Sequence, residues 1–274
     1  MTDTEISAED MEALGVSRDP EEILRGSMPT MPDPEGDTLV LPRGLYVGGS
    51  WQKDVKVREL TGADEETLAR QRDPLDYFDA VIAMGTEVVG AETMLRKPLS
   101  ERQRMLSDLL VGERELLFLN VIRATFGNER DVEYSCPACQ SEFTTTLLLD
   151  TDLVLENPLG EDTPSTYEFT TSKGRVIEYR LVVGSDQREA MQKKNATAAE
   201  QNTVILSRVV QRVDGEPVGD RRAFVLSLSI KDRRDLVAEL DAKQPKVNND
   251  IEIDCQTCGR TNVLTIDWGD LFRP

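Results

Sequence analysis

Four cysteines, set as two Cys-x-x-Cys pairs far apart in the chain, constrain this sequence more than any other feature. Cys136 and Cys139 form the first pair, Cys255 and Cys258 the second, and 115 residues separate them. Each pair lies between runs of alternating polar and apolar residues, VEYS-CPAC-QSEFTTTL and IEID-CQTC-GRTNVLTI. That pattern predicts two β-hairpins with cysteines at their tips. A Cys-x-x-Cys turn places two thiolates on one side of a tight loop and leaves backbone N–H groups free to hydrogen-bond the sulfurs. Two such turns facing each other complete a tetrahedron of sulfur, the closed geometry of structural zinc. With four protein ligands no position remains for water, so such an ion is structural rather than catalytic.

The separation far exceeds the roughly 15–20 residues of a simple zinc ribbon. Closing so long a loop costs about 4 kcal/mol plus a constant, whereas structural zinc binding is worth roughly 10–16 kcal/mol in small peptides. The metal term wins, provided the intervening residues fold as an insertion of their own. Other fates for the cysteines stay open at this point. A redox dithiol belongs at a helix start inside a βαβ unit, and both pairs here sit between strands. Disulfides suit an oxidising compartment, and iron of the rubredoxin type takes the same four ligands as zinc.

Composition narrows the function classes. There is no histidine among the 274 residues, which removes the commonest general base, the usual nucleophilic triads and every His-containing metal site. No acid pair occurs in a catalytic motif, and each cysteine already has a ligand role, so the expectation is a protein that is not an enzyme. The net charge of −19, from 51 acids against 32 bases, repels phosphate backbones, so no direct nucleic-acid partner is expected. Solubility, a salty cytoplasm and a basic protein partner all remain compatible with it. No stretch approaches the roughly 18 apolar residues that span a bilayer, and the acidic start MTDTEISAED is neither a signal nor a transit peptide. Folding in cytosol, away from membranes, is expected.

The remaining sequence reads as α+β. Residues 1–37 are an acidic arm, with a short helix from Ser7 to Leu14 and then the proline-rich SMPTMPDPEGD. Residues 38–130 form a mostly helical domain led by a hairpin, TLVLPRGLYV-GGS followed by Lys53 to Leu60. Its helices start at Thr61, at Asp73-Pro74 and at Ser100, the last interrupted near Gly112 and stopped by Gly127. Residues 131–274 form a zinc-ribbon-like β domain with an α/β insertion at about 150–250. That insertion contains the hairpin YEFTT-SKG-RVIEYRLVV, a helix from about Asp186 to Val213, an Asp214-Gly215 turn and a helix capped by Ser229-x-x-Asp232. Weaker candidates read as scaffold. LYVGGSW lacks the lysine and helix of a phosphate loop and is a turn. Arg221-Arg222 and Arg233-Arg234 are solvated helix faces, and Glu161-Asp162 lacks any calcium-loop spacing.

Several pieces together resemble the T-even-type phage baseplate protein family, whose members are hub or hub-assembly components of contractile tails. They are VKVRELTGADEETLA, LLVGERELLFLNVIRATFG, EYSCPACQSEF, IEYRLVVGSDQREAM, SIKDRRDLVAEL and IEIDCQTCGRTNVLTIDWGDLF, colinear from about Leu39 to Phe272. The cysteine pairs are the specific part; the N-terminal arm and the strong acidity fall outside the resemblance. It implies a structural or assembly component of the baseplate of a contractile tail or related injection machine. It further implies several copies beside other hub or wedge proteins, in the virion tail and, during assembly, in the host cytoplasm. A zinc-ribbon regulator that binds a polymerase or another protein is the alternative, although such ribbons usually show a basic face.

Overall fold

The structure, a computed structural model, describes residues 38–160, 164–192 and 195–272. The N-terminal arm, where a helix is expected at Ser7–Leu14, and Glu161-Asp162 lie outside these. Strands β1 (Thr38–Val47) and β2 (Ser50–Val57) form the leading hairpin. Gly48 and Gly49 have φ of +63° and +87°, the two positive values that a tight two-residue hairpin turn demands. Helix α1 (Gly62–Leu68) begins where expected, with the Thr61 N–H donating to Asp64 Oδ2 at 2.8 Å. Helix α2 (Pro74–Gly85) begins with the Leu75 N–H donating to Asp73 Oδ1 at 2.9 Å. Directly after it come β3 (Thr86–Val89) and β4 (Glu92–Thr93), which the sequence reading did not contain. They add to β2 and complete an antiparallel sheet in the order β1-β2-β3-β4.

Helices α3 (Leu99–Leu106) and α4 (Val111–Phe126) follow. The interruption expected at Gly112 falls instead over Ser107–Leu110, and Gly112 lies in the first turn of α4. The glycine is there for contact. A Cβ at this position would stand 2.2 Å from the Pro245 carbonyl oxygen and 2.7 Å from the Lys246 nitrogen, so helix and backbone meet with no room for a methyl group. In an open helix, glycine to alanine stabilises by up to about 1 kcal/mol. Here overpacking outweighs that gain, and Gly112→Ala is expected to destabilise by about 1–3 kcal/mol in urea titration. A variant as stable as the parent would refute the contact argument.

Strands β5 (Glu129–Ser135) and β6 (Glu142–Leu148) make the first cysteine hairpin, and β7 (Leu155–Glu156) leads into the insertion. There β8 (Tyr167–Thr170) and β9 (Val176–Tyr179) precede α5 (Gly184–Gln192) and α6 (Ala198–Val209). The single helix expected from Asp186 to Val213 is therefore two helices and a strand. Thr197 starts the second helix through a capping box with Glu200, and Val210–Val213 form β10, paired with β9. After β11 (Glu216–Pro217), α7 (Arg221–Ser227) and α8 (Ile230–Lys243), β12 (Lys246–Val247) closes the insertion. Strands β13 (Asp250–Asp254) and β14 (Thr261–Thr265) make the second cysteine hairpin. Helices and antiparallel sheets thus combine in an α+β fold. Among the described residues no helix is long and apolar enough to cross a membrane.

Two apolar clusters hold these elements. The first surrounds α4 and joins Leu41, Val55, Ile82, Leu117 and Ile122 with Leu147, Leu153, Val247 and Ile266, so residues on both sides of Arg130 share it. The second is centred on the insertion, around Ile177, Tyr179, Leu206, Val209, Val225 and Leu236, and takes in Leu110 just before α4. The two ends of the insertion meet: Val247 pairs with Leu155 and Lys246 with Glu156. This pairing brings the two cysteine hairpins together across a long stretch of sequence, by folding what lies between them.

Candidate metal centre

The two knuckles repeat each other atom for atom in their backbone bonds. In the first, the Cys136 N–H donates to the Ser141 carbonyl at 3.0 Å and the Gln140 N–H to the Cys136 carbonyl at 2.8 Å. In the second, the Cys255 N–H donates to the Arg260 carbonyl at 2.9 Å and the Gly259 N–H to the Cys255 carbonyl at 2.8 Å. Both turns need a left-handed residue just after the second cysteine, supplied by Gln140 at φ +59° and Gly259 at φ +66°. Glycine adopts that conformation freely; glutamine does so at some cost. The flanking strands alternate. Val132, Tyr134, Phe143 and Ile251, Ile253, Leu264 are half-buried, while Glu129, Asp131, Glu133, Asp250, Glu252 and Asp254 face solvent. Part of the chain's negative charge is therefore the outer surface of these hairpins.

The four sulfurs converge, all lying within 4.8 Å of one another. Cys136 Sγ is 3.9 Å from Cys258 Sγ, and Cys139 Sγ is 3.6 Å from Cys255 Sγ. A tetrahedral ion with metal–sulfur bonds of about 2.3 Å requires sulfur–sulfur edges of about 3.8 Å, so these two edges bracket the ideal. A disulfide needs about 2.0 Å, and all four cysteines are free. In each pair the first cysteine is buried and the second exposed. The donor set and its spacing fit one soft, tetrahedral metal ion.

Hydrogen bonds around the sulfurs favour thiolate at some positions and leave too many charges for one small space. The Ser141 hydroxyl and then its N–H lower the Cys139 thiol. The Cys255 thiol falls to about 6, through the Ser141 hydroxyl first and then the backbone N–H of Cys258. At Cys258 the Arg260 N–H pulls downward, yet contact with Cys255, burial and the other cysteines together push the thiol up to about 11. Without a cation the cluster resists full ionisation. A bound divalent ion removes that conflict, because metal coordination deprotonates a thiol outright.

The other residues singled out in the sequence stay apart from this centre. The glycines of LYVGGSW form the β1–β2 turn. Arg221, Arg222 and Arg234 are exposed on helices, and Arg233 bonds Thr203 Oγ1 at 2.7 Å. Three buried carboxylates escaped the sequence reading. Glu113 accepts N–H bonds from Arg43, Gly44 and Leu110. Asp186 pairs with Arg180 and Arg208, and Asp79 with Arg114 and Arg188. A faint signal existed for Glu113 and for Arg114, the partner of Asp79: Glu113-Arg114-Glu115 is a run of three charges directly before the apolar Leu116–Leu119.

No curated protein and no solved structure matches the chain. A family described as T4 bacteriophage base plate protein matches residues 49–273, a span that takes in β2 to β4 of the leading sheet, the insertion and both cysteine hairpins, and the chain belongs to that family.

Proposed function

We propose that this protein is a structural or assembly component of a contractile-tail baseplate, in which one structural zinc ion clasps the two cysteine hairpins. The sulfur tetrahedron carries the zinc part of the reading. The two opposite edges of 3.9 and 3.6 Å suit zinc, the four ligands leave no reactive position, and polar groups of the two hairpins, Ser141 Oγ and Asn262 Nδ2 among them, face the sulfurs. Family membership carries the baseplate part. A baseplate must fasten subunits in fixed geometry, and a metal clasp between the helical core and the C-terminal strands stiffens such a part. Neighbouring hub or wedge proteins are the partners, met in several copies of a symmetric assembly. The cross-strand pair Tyr46 and Trp51, 59% and 48% exposed on the edge hairpin, offers an apolar contact of the kind protein interfaces use.

Purified tail particles provide the test, with mass spectrometry to detect the chain. Its presence there in stoichiometric amount is the expected result for a permanent component. Absence from particles, with baseplates failing to form when its gene is deleted, identifies an assembly factor. Absence together with normal baseplates refutes the proposal.

A further inference from the structure

We propose that Ser141 is a positioning residue of the metal centre, its one hydroxyl proton bridging the two hairpins as a bifurcated hydrogen bond, donated mainly to the Cys139 sulfur and shared with that of Cys255. The inference rests on the zinc reading above. Ser141 Oγ lies 2.9 Å from Cys139 Sγ, in its own knuckle, and 3.4 Å from Cys255 Sγ, in the opposite one. Metal-bound thiolates carry no proton, so the hydroxyl is the only donor in both contacts. The residue is also held through its backbone. Its carbonyl accepts the Cys136 N–H at 3.0 Å, which ties it to the start of its own knuckle. One side chain thus touches one ligand from each hairpin while the same residue's carbonyl anchors the backbone of a third ligand, Cys136.

The matching position in the second knuckle is Arg260, which has no hydroxyl. The second hairpin uses Asn262 instead. Its Nδ2 donates to the Arg260 carbonyl at 2.9 Å and faces Cys136 Sγ at 3.8 Å. Each hairpin therefore extends a polar side chain toward a sulfur of the other, so the two-fold likeness of the backbones does not extend to the side chains. The need for such donors follows from charge. Four thiolates around a divalent ion leave two net negative charges, in a chain already at −19 and beneath hairpin faces lined with acids. Donors aimed at the sulfurs spread that charge and orient the ligands.

The test compares Ser141→Ala with Ser141→Thr, which keeps the hydroxyl, and with Thr144→Ala on the solvent face of the same hairpin. Zinc affinity is read by competition with a chromophoric chelator. The thiolate-to-metal charge-transfer band is read on the cobalt-substituted protein. Ser141→Ala is expected to bind zinc about 10–100-fold more weakly and to shift the cobalt band to longer wavelength, because unbonded sulfur gives up its electrons more easily. Ser141→Thr restores both, and Thr144→Ala alters neither. An unmoved band with parental affinity in Ser141→Ala overturns the inference, as does a loss no larger than that of Thr144→Ala. Failure of the unmodified protein to bind one zinc or cobalt ion is a different result, which sinks the metal reading before any variant is made.

Discussion

Replacing Cys136 by serine, or stripping the metal with a strong chelator, is expected to lower the melting temperature by on the order of 10 °C and to release one equivalent of zinc. The estimate starts from the ligand. A site held at 1,000 times its dissociation constant stabilises the folded state by about 4 kcal/mol, and for a domain of this size each kcal/mol moves the melting point by about 2–4 °C. Peptide zinc sites, at roughly 10–16 kcal/mol, place that figure at the low end. Cys136 is the informative position because it is fully buried, beneath the hairpin whose Val132 packs on the first apolar cluster. Cys258, exposed at the opposite tip, separates the two contributions. Cys258→Ser loses the same metal but almost no packing, so its melting point should match that of the chelated parent. Elemental analysis beside circular-dichroism melting reads both effects and distinguishes zinc from iron. Retention of one metal ion and of the parental melting point in Cys136→Ser would remove the clasp from the structure.

What could be read from the sequence was local. Thr61 with Asp64, Asp73 with Pro74, and Ser229 with Asp232 are caps whose side chains bond backbone three residues or fewer away, and each begins a helix where the pattern placed it. The cysteine hairpins belong with them, since period-two alternation and a four-residue turn are both short-range. Each turn was legible; their meeting rests on the pairing of Leu155–Glu156 with Lys246–Val247, two residues on each side with no pattern of their own. Val210 and Val213 show the opposite difficulty. Their spacing continues the apolar stripe of the helix before them, and only pairing with Ile177 and Tyr179 makes them a strand. β-branched residues suit either state, and the partner decides. The Thr197-Glu200 capping box was the available signal that a new helix begins there. Gly112 looked like a breaker because the backbone it accommodates, at Pro245, is remote in sequence.

The buried ion cluster was invisible for the same reason, and it sets the second large effect. Asp79, 5% exposed on α2, accepts from Arg114 on α4 and from Arg188 on α5, and Arg188 also bonds Asp76 Oδ1 at 2.6 Å. Three helices, one of them from the insertion, are joined through a single carboxylate. Burial, followed by the nearness of Arg188, lowers Arg114 to about 10, so it remains charged at neutral pH. Its room is made by Gly184, where a Cβ would stand 2.2 Å from a guanidinium nitrogen. Removing the aspartate leaves two arginines close together, one of them buried and without its counter-charge. Asp79→Ala is therefore expected to destabilise by about 3–5 kcal/mol, the usual cost of breaking a buried pair from one side. The double variant Asp79→Leu with Arg114→Met should recover most of that loss, because an apolar pair of similar volume often replaces a buried ion pair at little cost. Urea titration of the parent, Asp79→Leu, Arg114→Met and the double variant closes the cycle. If Asp79→Ala falls within about 1 kcal/mol of the parent, the contact is no stronger than an exposed salt bridge, and the joint between insertion and helical core must be held by packing and by backbone bonds such as Gly184 N–H to the Leu109 carbonyl at 3.0 Å and Ser185 N–H to the Ser107 carbonyl at 2.8 Å.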